Sequence, residues 1–381
     1  MGWTALSELV PYYPLYALLF LDTGLSNAQI SALFAIWSVT GFVSEVPSGA
    51  LADRWSRRGV VVLAGVLQAA AFVIWTAAPQ VWAFALGFVV WGVSGALVSG
   101  ASEALVYDGL ASVDAADSYV RVNGWMTAAE LLVQVPTAFA AAALYAVGGY
   151  ALVGWVSVAT CLAAAALALR FPEAPRAADD ESLAGTLREG VREAVHSPPL
   201  RILVLAVALI GGLDAVEEYF PVLAGDWGVP TTTVPLAVLV IALAGAAGAS
   251  LGGRADRLRG GTLLALLVVA AGCLALAAVW ARPAALALVA VFYALYLAVL
   301  VVAEARLQDR IASTHRATIT SVAGLGIELA SLLVFVAWAV GGPIAVAVLV
   351  LAVVPVVRAG LRTRETVRPS SPAPAGGRTT G

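Results

Sequence analysis

The chain has 381 residues, 61% hydrophobic and 12% charged, about half the roughly 25% charged content of an ordinary soluble domain. Such a composition excludes a soluble enzyme and points to a polytopic membrane protein whose helices face lipid and one another. The net charge of -3 says little, because orientation is read from where the basic residues fall, and all 21 of them are Arg.

Twelve apolar runs approach the ~20 residues that cross a bilayer. The first six are 3–22, 27–51, 59–79, 81–107, 123–147 and 149–170; after a polar gap come 200–224, 230–253, 262–281, 284–305, 317–340 and 343–358. Run 3–22 lacks a basic leader and a small-residue cleavage pattern, so it reads as the first span and not as a signal peptide. With the first terminus in the cytoplasm, only Arg282 falls outside, while Arg54, Arg57, Arg58, Arg121, Arg170, Arg201, Arg254, Arg257, Arg259, Arg306, Arg310, Arg316 and the linker and tail arginines fall inside. Both termini are therefore predicted to be cytoplasmic. The expected organisation is an N-terminal six-helix bundle (1–170), a cytoplasmic linker (171–199), a C-terminal six-helix bundle (200–358) and a disordered tail (359–381). In the linker, Leu183, Leu187, Val191 and Val195 recur at helical spacing, which suggests an amphipathic helix on the inner membrane surface; a plain tether between bundles is the competing reading. Cys161 and Cys273 fall in opposite halves, so no disulfide is expected.

An ionisable side chain inside a span costs roughly 2.5–3.5 kcal/mol on insertion scales and must face protein or water. The acids concerned are Glu8, Glu45, Glu103 and Glu130 on spans 1, 2, 4 and 5, then Asp214, Glu217 and Glu218 on span 7, Glu304 on span 10 and Glu328 on span 11. Periodicity groups Asn123, Thr127, Glu130 and Gln134 on one face of span 5. It places Ser38, Gly41, Glu45 and Ser48 on one face of span 2, and Glu8, Tyr12 and Tyr16 on one face of span 1. These stripes predict a polar cavity. No Arg lies deep in a span, so the cavity is negative when ionised and suits protons, cations or neutral solutes over anions. Three carboxyls within residues 214–218 cannot all ionise cheaply, so at least one is expected to hold a proton at neutral pH. Tyr12, Tyr13, Tyr16, Tyr293, Tyr296, Trp37 and Trp125 could stack on an aromatic or cationic substrate, or simply pack. Gly245, Gly248 and Gly252 on span 8, like Gly92, Gly95 and Gly100 on span 4, suit close helix packing. No metal-ligand cluster, phosphate loop or nucleophile–base pair is present, so neither catalysis nor a cofactor is expected.

Between spans 2 and 3 lies Gly49-Ala50-Leu51-Ala52-Asp53-Arg54-Trp55-Ser56-Arg57-Arg58, echoed as Gly253-Arg254-Ala255-Asp256-Arg257-Leu258-Arg259-Gly260 between spans 8 and 9. Glu103-Ala104 with Asp108-Gly109-Leu110-Ala111-Ser112 is echoed by Glu304-Ala305 with Asp309-Arg310-Ile311-Ala312-Ser313. These repeats mark a duplication. The charged turn resembles the signature of the major facilitator superfamily, G-x-L-A-D-R-x-G-R-R, with Ser56 in place of the glycine.

The resemblance implies a fold of 12 transmembrane helices in two pseudo-symmetric six-helix bundles, with spans 1, 2, 4, 5, 7, 8, 10 and 11 lining a central cavity. It also implies an inner gate of Gly49, Asp53, Arg54, Arg57, Arg58 and Asp108, with Asp256, Arg259 and Asp309 as a weaker copy, latched when the cavity faces outward and broken when it opens inward. Glu45-Val46-Pro47-Ser48-Gly49, where Pro47 is expected to kink span 2, resembles one branch of exporters in that superfamily. Glu45 could carry the proton or hydrogen-bond permanently to span 4 or 11. The antiporter glycine-proline signature at the end of span 5 is absent, and Pro136 stands alone. The expected function is proton-coupled export of a small cationic or neutral molecule by a monomer in the cytoplasmic membrane, with no nucleic-acid partner. Glu45, Asp214, Glu217 and Glu218 are the candidates for coupling or cation binding; Glu8, Tyr12, Tyr16, Glu103, Glu130, Gln134, Glu304 and Glu328 for the substrate cavity. Proton-coupled nutrient uptake, and a membrane sensor or assembly partner that has lost transport, are the alternatives.

Overall fold

A computed structural model of the chain describes residues 1–172, 198–254, 259–311 and 316–362. The linker positions 182–196, the tail after Arg364, and Asp256 lie outside them, as do the side chains of Asp53, Arg54, Arg254 and Gly100. Every regular element among the described residues is helical.

Seven of the described helices are long and apolar enough to cross a bilayer. Two of these are too long for one crossing. Tyr119–Ala168 has 50 residues and Arg316–Arg362 has 47, ~75 and ~70 Å at 1.5 Å per residue, against an apolar core of ~30 Å. Each is divided by a glycine pair with non-helical dihedrals, Gly148-Gly149 and Gly341-Gly342. The second glycine of each pair stands at a positive φ, +59° and +57°, which a side chain would strain. These two helices thus hold spans 5 and 6 and spans 11 and 12, and the device recurs at the same place in each half.

The remaining spans are Asn27–Arg54, Arg57–Ala77, Val81–Ala111, Val234–Arg254, Gly260–Trp280 and Leu286–Arg310, together with two broken ones. Ser26 and Gln29 form a reciprocal capping box at the start of span 2. Ser56, the departure from the family signature, caps span 3 by accepting the Gly59 N–H at 2.8 Å. Pro47 lies inside an unbroken span 2, so no helix break accompanies it.

Spans 1 and 7 correct the expectation of continuous helices. Span 1 is helical over Gly2–Glu8 and Tyr16–Asp22 only, with Pro11 and Pro14 between them. A proline lacks the N–H that a helix needs and its ring crowds the carbonyl four residues back. Span 7 runs as an α-helix over Pro198–Gly212, tightens to a 3₁₀-helix over Leu213–Tyr219, and resumes as Phe220–Asp226 with Pro221 in its first turn.

The halves pack alike. Span 2 lies on span 4 in the first half and span 8 on span 10 in the second; span 1 meets 7, 2 meets 11 and 5 meets 8 between the halves. Spans 8 and 10 touch backbone to backbone: a Cβ on Gly248 would fall 2.0 Å from the Ala294 carbonyl oxygen, and one on Gly252 would fall 2.6 Å from that of Ala298. Cys161 and Cys273 are both free.

Gly248→Ala is expected to destabilise the protein by about 1–3 kcal/mol through overpacking. Gly272→Ala on span 9, where a Cβ meets nothing within 4 Å, is expected to be neutral. Melting of the detergent-purified variants, followed by size exclusion, checks both.

Candidate functional site: an acid-lined cavity between the halves

The breaks in spans 1 and 7 face each other across a cavity of about 380 Å³. The first half contributes Glu8, Tyr13, Tyr16, Trp37, Trp91 and Gln134 to its walls; the second contributes Glu217, Glu218, Phe220, Val238 and Tyr293. Neither Arg nor Lys lines it. Tyr13 stacks on Trp91 with centroids 5.7 Å apart and an interplanar angle of 8°, and Trp91 meets Trp37 at 5.2 Å, so one wall is a continuous aromatic face.

The 3₁₀ turn of span 7 decides how its acids are presented. At three residues per turn, Asp214 and Glu217 eclipse one another. The Tyr293 hydroxyl lies 3.1 Å from Asp214 Oδ1 and 3.0 Å from Glu217 Oε2. A phenol has one proton to donate, so both contacts are full hydrogen bonds only when one carboxyl carries a proton and donates it to the phenol oxygen. Glu218 leaves on the other side and accepts from the Tyr16 hydroxyl of the first half. Asp214 reaches the cavity through Tyr293 and does not line it.

Of the candidate site residues, Glu8, Tyr16, Gln134, Glu217 and Glu218 line this one space. Tyr12 is corrected: it is fully buried inside the first half, its hydroxyl 3.2 Å from Thr76 Oγ1 and its N–H donated to Ser157 Oγ at 3.0 Å. The i, i+4, i+8 stripe fails there because residues 9–15 are not α-helical. Glu130 lines a smaller chamber within the first half, which Glu8 also borders. On the polar stripe of span 2, Ser38 and Ser48 are buried in a packing seam, while Glu45 is exposed. Ser38 Oγ donates to Glu328 at 3.3 Å across the halves, Ser48 Oγ to the Ala96 carbonyl at 2.9 Å, and Ser99 Oγ to Glu45 at 2.9 Å. Glu45 therefore takes the hydrogen bond to span 4, away from the span 7 acids. Glu103 and Glu304 are exposed towards the terminal ends of spans 4 and 10 and border none of these spaces. Trp125 lies outside the cavity, under Arg121 at 5.8 Å. Trp91, which joins the aromatic wall, is not among the residues that the polar stripes single out, and its sequence signal is the aromatic i, i+4, i+7 row of Phe84, Phe88 and Trp91 on span 4.

The cavity is shut on the side of the loops that join spans 1 to 2 and 7 to 8. Ser31 Oγ lies 2.7 Å from Tyr219 Oη, Phe34 packs edge-on to Tyr219 at 5.2 Å and against Phe335 at 5.7 Å, and Leu18 abuts Gly225. The described bonds and ring contacts between the halves all lie from Ser38 and Glu328 towards those loops. On the terminal side, Phe42, Val43 and Leu51 of span 2 and Leu325 and Leu329 of span 11 are exposed. The halves splay towards the termini.

In that arrangement Arg57 is still paired with Asp108, and its Nη1 also donates to the Ala104 carbonyl at 3.3 Å. The pair joins spans 3 and 4 of one half and does not cross between halves, so this part of the implied latch is intact with the terminal side open; the side chains of Asp53 and Arg54, its other charged members on that turn, lie outside the described residues. Arg58 donates to the Phe171 carbonyl at 3.2 Å, again within one half. Gly49 is half-buried, Asp309 and Arg259 are exposed, and no bond among the described residues joins these last two.

The sequence profile of the Major Facilitator Superfamily matches residues 2–335. No curated protein sequence matches the chain. Its fold is similar to that of the nucleoside transporter NupG, at a TM-score of 0.71 and 13% identity, over 94% of this chain and 95% of that one. It is similar to a D-xylose-proton symporter, at 0.68 and 16% identity over 93% and 95%, and to a bacterial homologue of the iron transporter ferroportin in its inward-facing state, at 0.65 and 17% over 94% and 95%. With the signature turn, the duplicated halves and the cavity between them, the profile establishes that this multi-pass membrane protein belongs to the Major Facilitator Superfamily of transporters.

Proposed function

We propose that the chain exports a small cationic or neutral molecule across the cytoplasmic membrane in exchange for protons, acting as a monomer with both termini inside the cell. The observation that carries this reading is the cavity: Glu8, Glu217 and Glu218 face one another across an aromatic-walled space that holds no Lys or Arg. Such a space repels anions and favours cations and aromatic groups.

The Tyr16–Glu218 bond couples chemistry to movement. It is charge-assisted when Glu218 is ionised and weakens when Glu218 gains a proton or turns to a bound cation. A cationic substrate entering from the open side competes with Tyr16 for Glu218, loosens the closed side and lets the halves rock. Protonation from the far side then displaces the substrate, and proton loss to the near side restores the bond. Glu217, Asp214 and Tyr293 form the adjoining store for a proton. Export over uptake rests on the likeness of Glu45–Gly49 to one exporter branch; the D-xylose-proton symporter shares the fold with the opposite direction, so direction is what the assay must read.

In inside-out vesicles energised to acidify their lumen, a cationic or neutral compound that is exported should partly collapse the gradient reported by a pH-sensitive dye. Glu217→Gln with Glu218→Gln should abolish that response. Gradient collapse that persists in the double variant would overturn the assignment of these acids. Substrate accumulation driven the other way, seen in right-side-out vesicles, would replace export by uptake.

Tyr16→Phe removes a hydrogen bond to a charged group, worth about 1.5–3 kcal/mol, and should shift the balance of states towards opening on the loop side by about tenfold or more. In a background lacking Cys161 and Cys273, labelling of Ser31→Cys by an impermeant maleimide from that side should speed up accordingly. An unchanged labelling rate would show that Tyr16 does not hold the closure.

A further inference from the structure

Within the first half, beside the central cavity, lies a chamber of about 120 Å³. Glu8 and Glu130 both line it, and no Arg or Lys does. Thr4 lines it too; that residue is 97% buried by its 3% exposure, and its Oγ1 has no hydrogen-bond partner. A buried hydroxyl without a partner, lining the same chamber as two carboxyls, marks a place for a species absent from the protein itself. Gln68 completes the wall: its amide N–H donates to the Tyr13 hydroxyl at 2.7 Å, which leaves the amide oxygen free to turn inward. Ser7 Oγ donates to the Thr4 carbonyl at 3.0 Å and keeps its lone pairs. The chamber sits at the break in span 1, where Pro11 has no N–H to offer the Ser7 carbonyl.

We propose that this chamber binds one small hard cation of the sodium class, held by the Glu8 and Glu130 carboxylates and the Thr4 hydroxyl. The Gln68 amide oxygen and the Ser7 oxygens are the supporting ligands. All of these are hard oxygens, the donor set of alkali and alkaline-earth ions. Among the described residues no three His, Cys, Asp or Glu gather as a metal centre, and two carboxyls supplemented by neutral oxygens suit a monovalent ion better than a divalent one. A broken membrane helix whose unwound segment coordinates a cation is physically the same solution in any fold, because the freed carbonyls need a partner that lipid cannot supply. Glu8 borders both spaces. An ion in the chamber therefore neutralises an acid of the central cavity without entering it, and the protein gains a second cation input beside the span 7 acids. This inference is independent of the direction and substrate proposed above.

The test uses the full-length protein purified in detergent at pH 8, with sodium chloride titrated against choline chloride at constant ionic strength. The melting temperature of the wild type should rise and saturate with sodium, and radioactive sodium should bind at one site per chain. Glu8→Gln and Glu130→Gln should lose both responses, and the near-isosteric Thr4→Val, which keeps the chamber's volume, should weaken affinity about tenfold. Glu217→Gln should keep the sodium response, which separates this site from the transport acids. No sodium dependence in the wild type, or one left intact by Thr4→Val and Glu8→Gln, would overturn the proposal. A stability that follows pH and ignores sodium would also overturn it, and would make the occupant a proton.

Discussion

A span that stops being helical inside a bilayer exposes backbone groups that lipid cannot satisfy, and this constraint shapes both halves of the protein. At the break in span 1, the Tyr12 N–H that would have closed a helical turn on Glu8 is taken by Ser157 Oγ of span 6, and the Glu8 carbonyl accepts instead from the Val10 N–H at 2.8 Å. At the break in span 7, the Gly211 carbonyl accepts from Tyr296 of span 10 at 3.3 Å. A neighbouring span thus supplies at each break one partner that the interrupted helix lacks. Glu8, Asp214, Glu217 and Glu218 stand at or beside these breaks, where a carboxyl can face a protein-lined space and not lipid. Fold and site share one cause.

The closed side follows from the same pair of spans. The outer pieces, Tyr16–Asp22 and Phe220–Asp226, are short and free to set their own direction, since each is uncoupled from the helix before it. Leu18 can therefore lie against Gly225, where no side chain stands in the way. Tyr219, at the last residue of the 3₁₀ segment, stacks on Trp338 at 4.0 Å and reaches Ser31, so the closure is built on an aromatic plug with one polar contact in it. Its neighbour Glu218 holds Tyr16. One residue of span 7 thus packs the closed side while the next senses the cavity's charge, and movement of the 3₁₀ segment must change both together.

The number of crossings was legible because the length of an apolar run and the polar or glycine–proline breaks between runs are local signals. The acids of span 7 were legible for the same reason: their closeness in sequence guarantees closeness in space. What failed was periodicity carried across Pro11 and Pro14. Glu8, Tyr12 and Tyr16 share a face only if the helix is continuous, and the chain places Tyr12 behind the cavity. Tyr13 and Trp91 form the aromatic wall through a contact between spans 1 and 4, which no spacing within either span reveals. The span 2 stripe failed differently. Its residues do share a face, but that face is covered by span 4 near the terminal end and by span 11 further along, so polarity there serves helix contact.

The charged turn shows how a sequence signature and its physical role can separate. Arg57 and Asp108 belong to one half, so their attraction stiffens the end of spans 3 and 4 whatever the other half does. A bond that is present with the terminal side open contributes equally to both states unless the half itself deforms, and an interaction equal in two states cannot shift the balance between them. Any bias must come from contacts that cross between halves, and among the described residues those that involve a carboxyl are Tyr16 with Glu218 and Ser38 with Glu328. The Arg57–Asp108 pair holds the ends of spans 3 and 4 together within one half, and the contacts that differ between states must be sought between the halves.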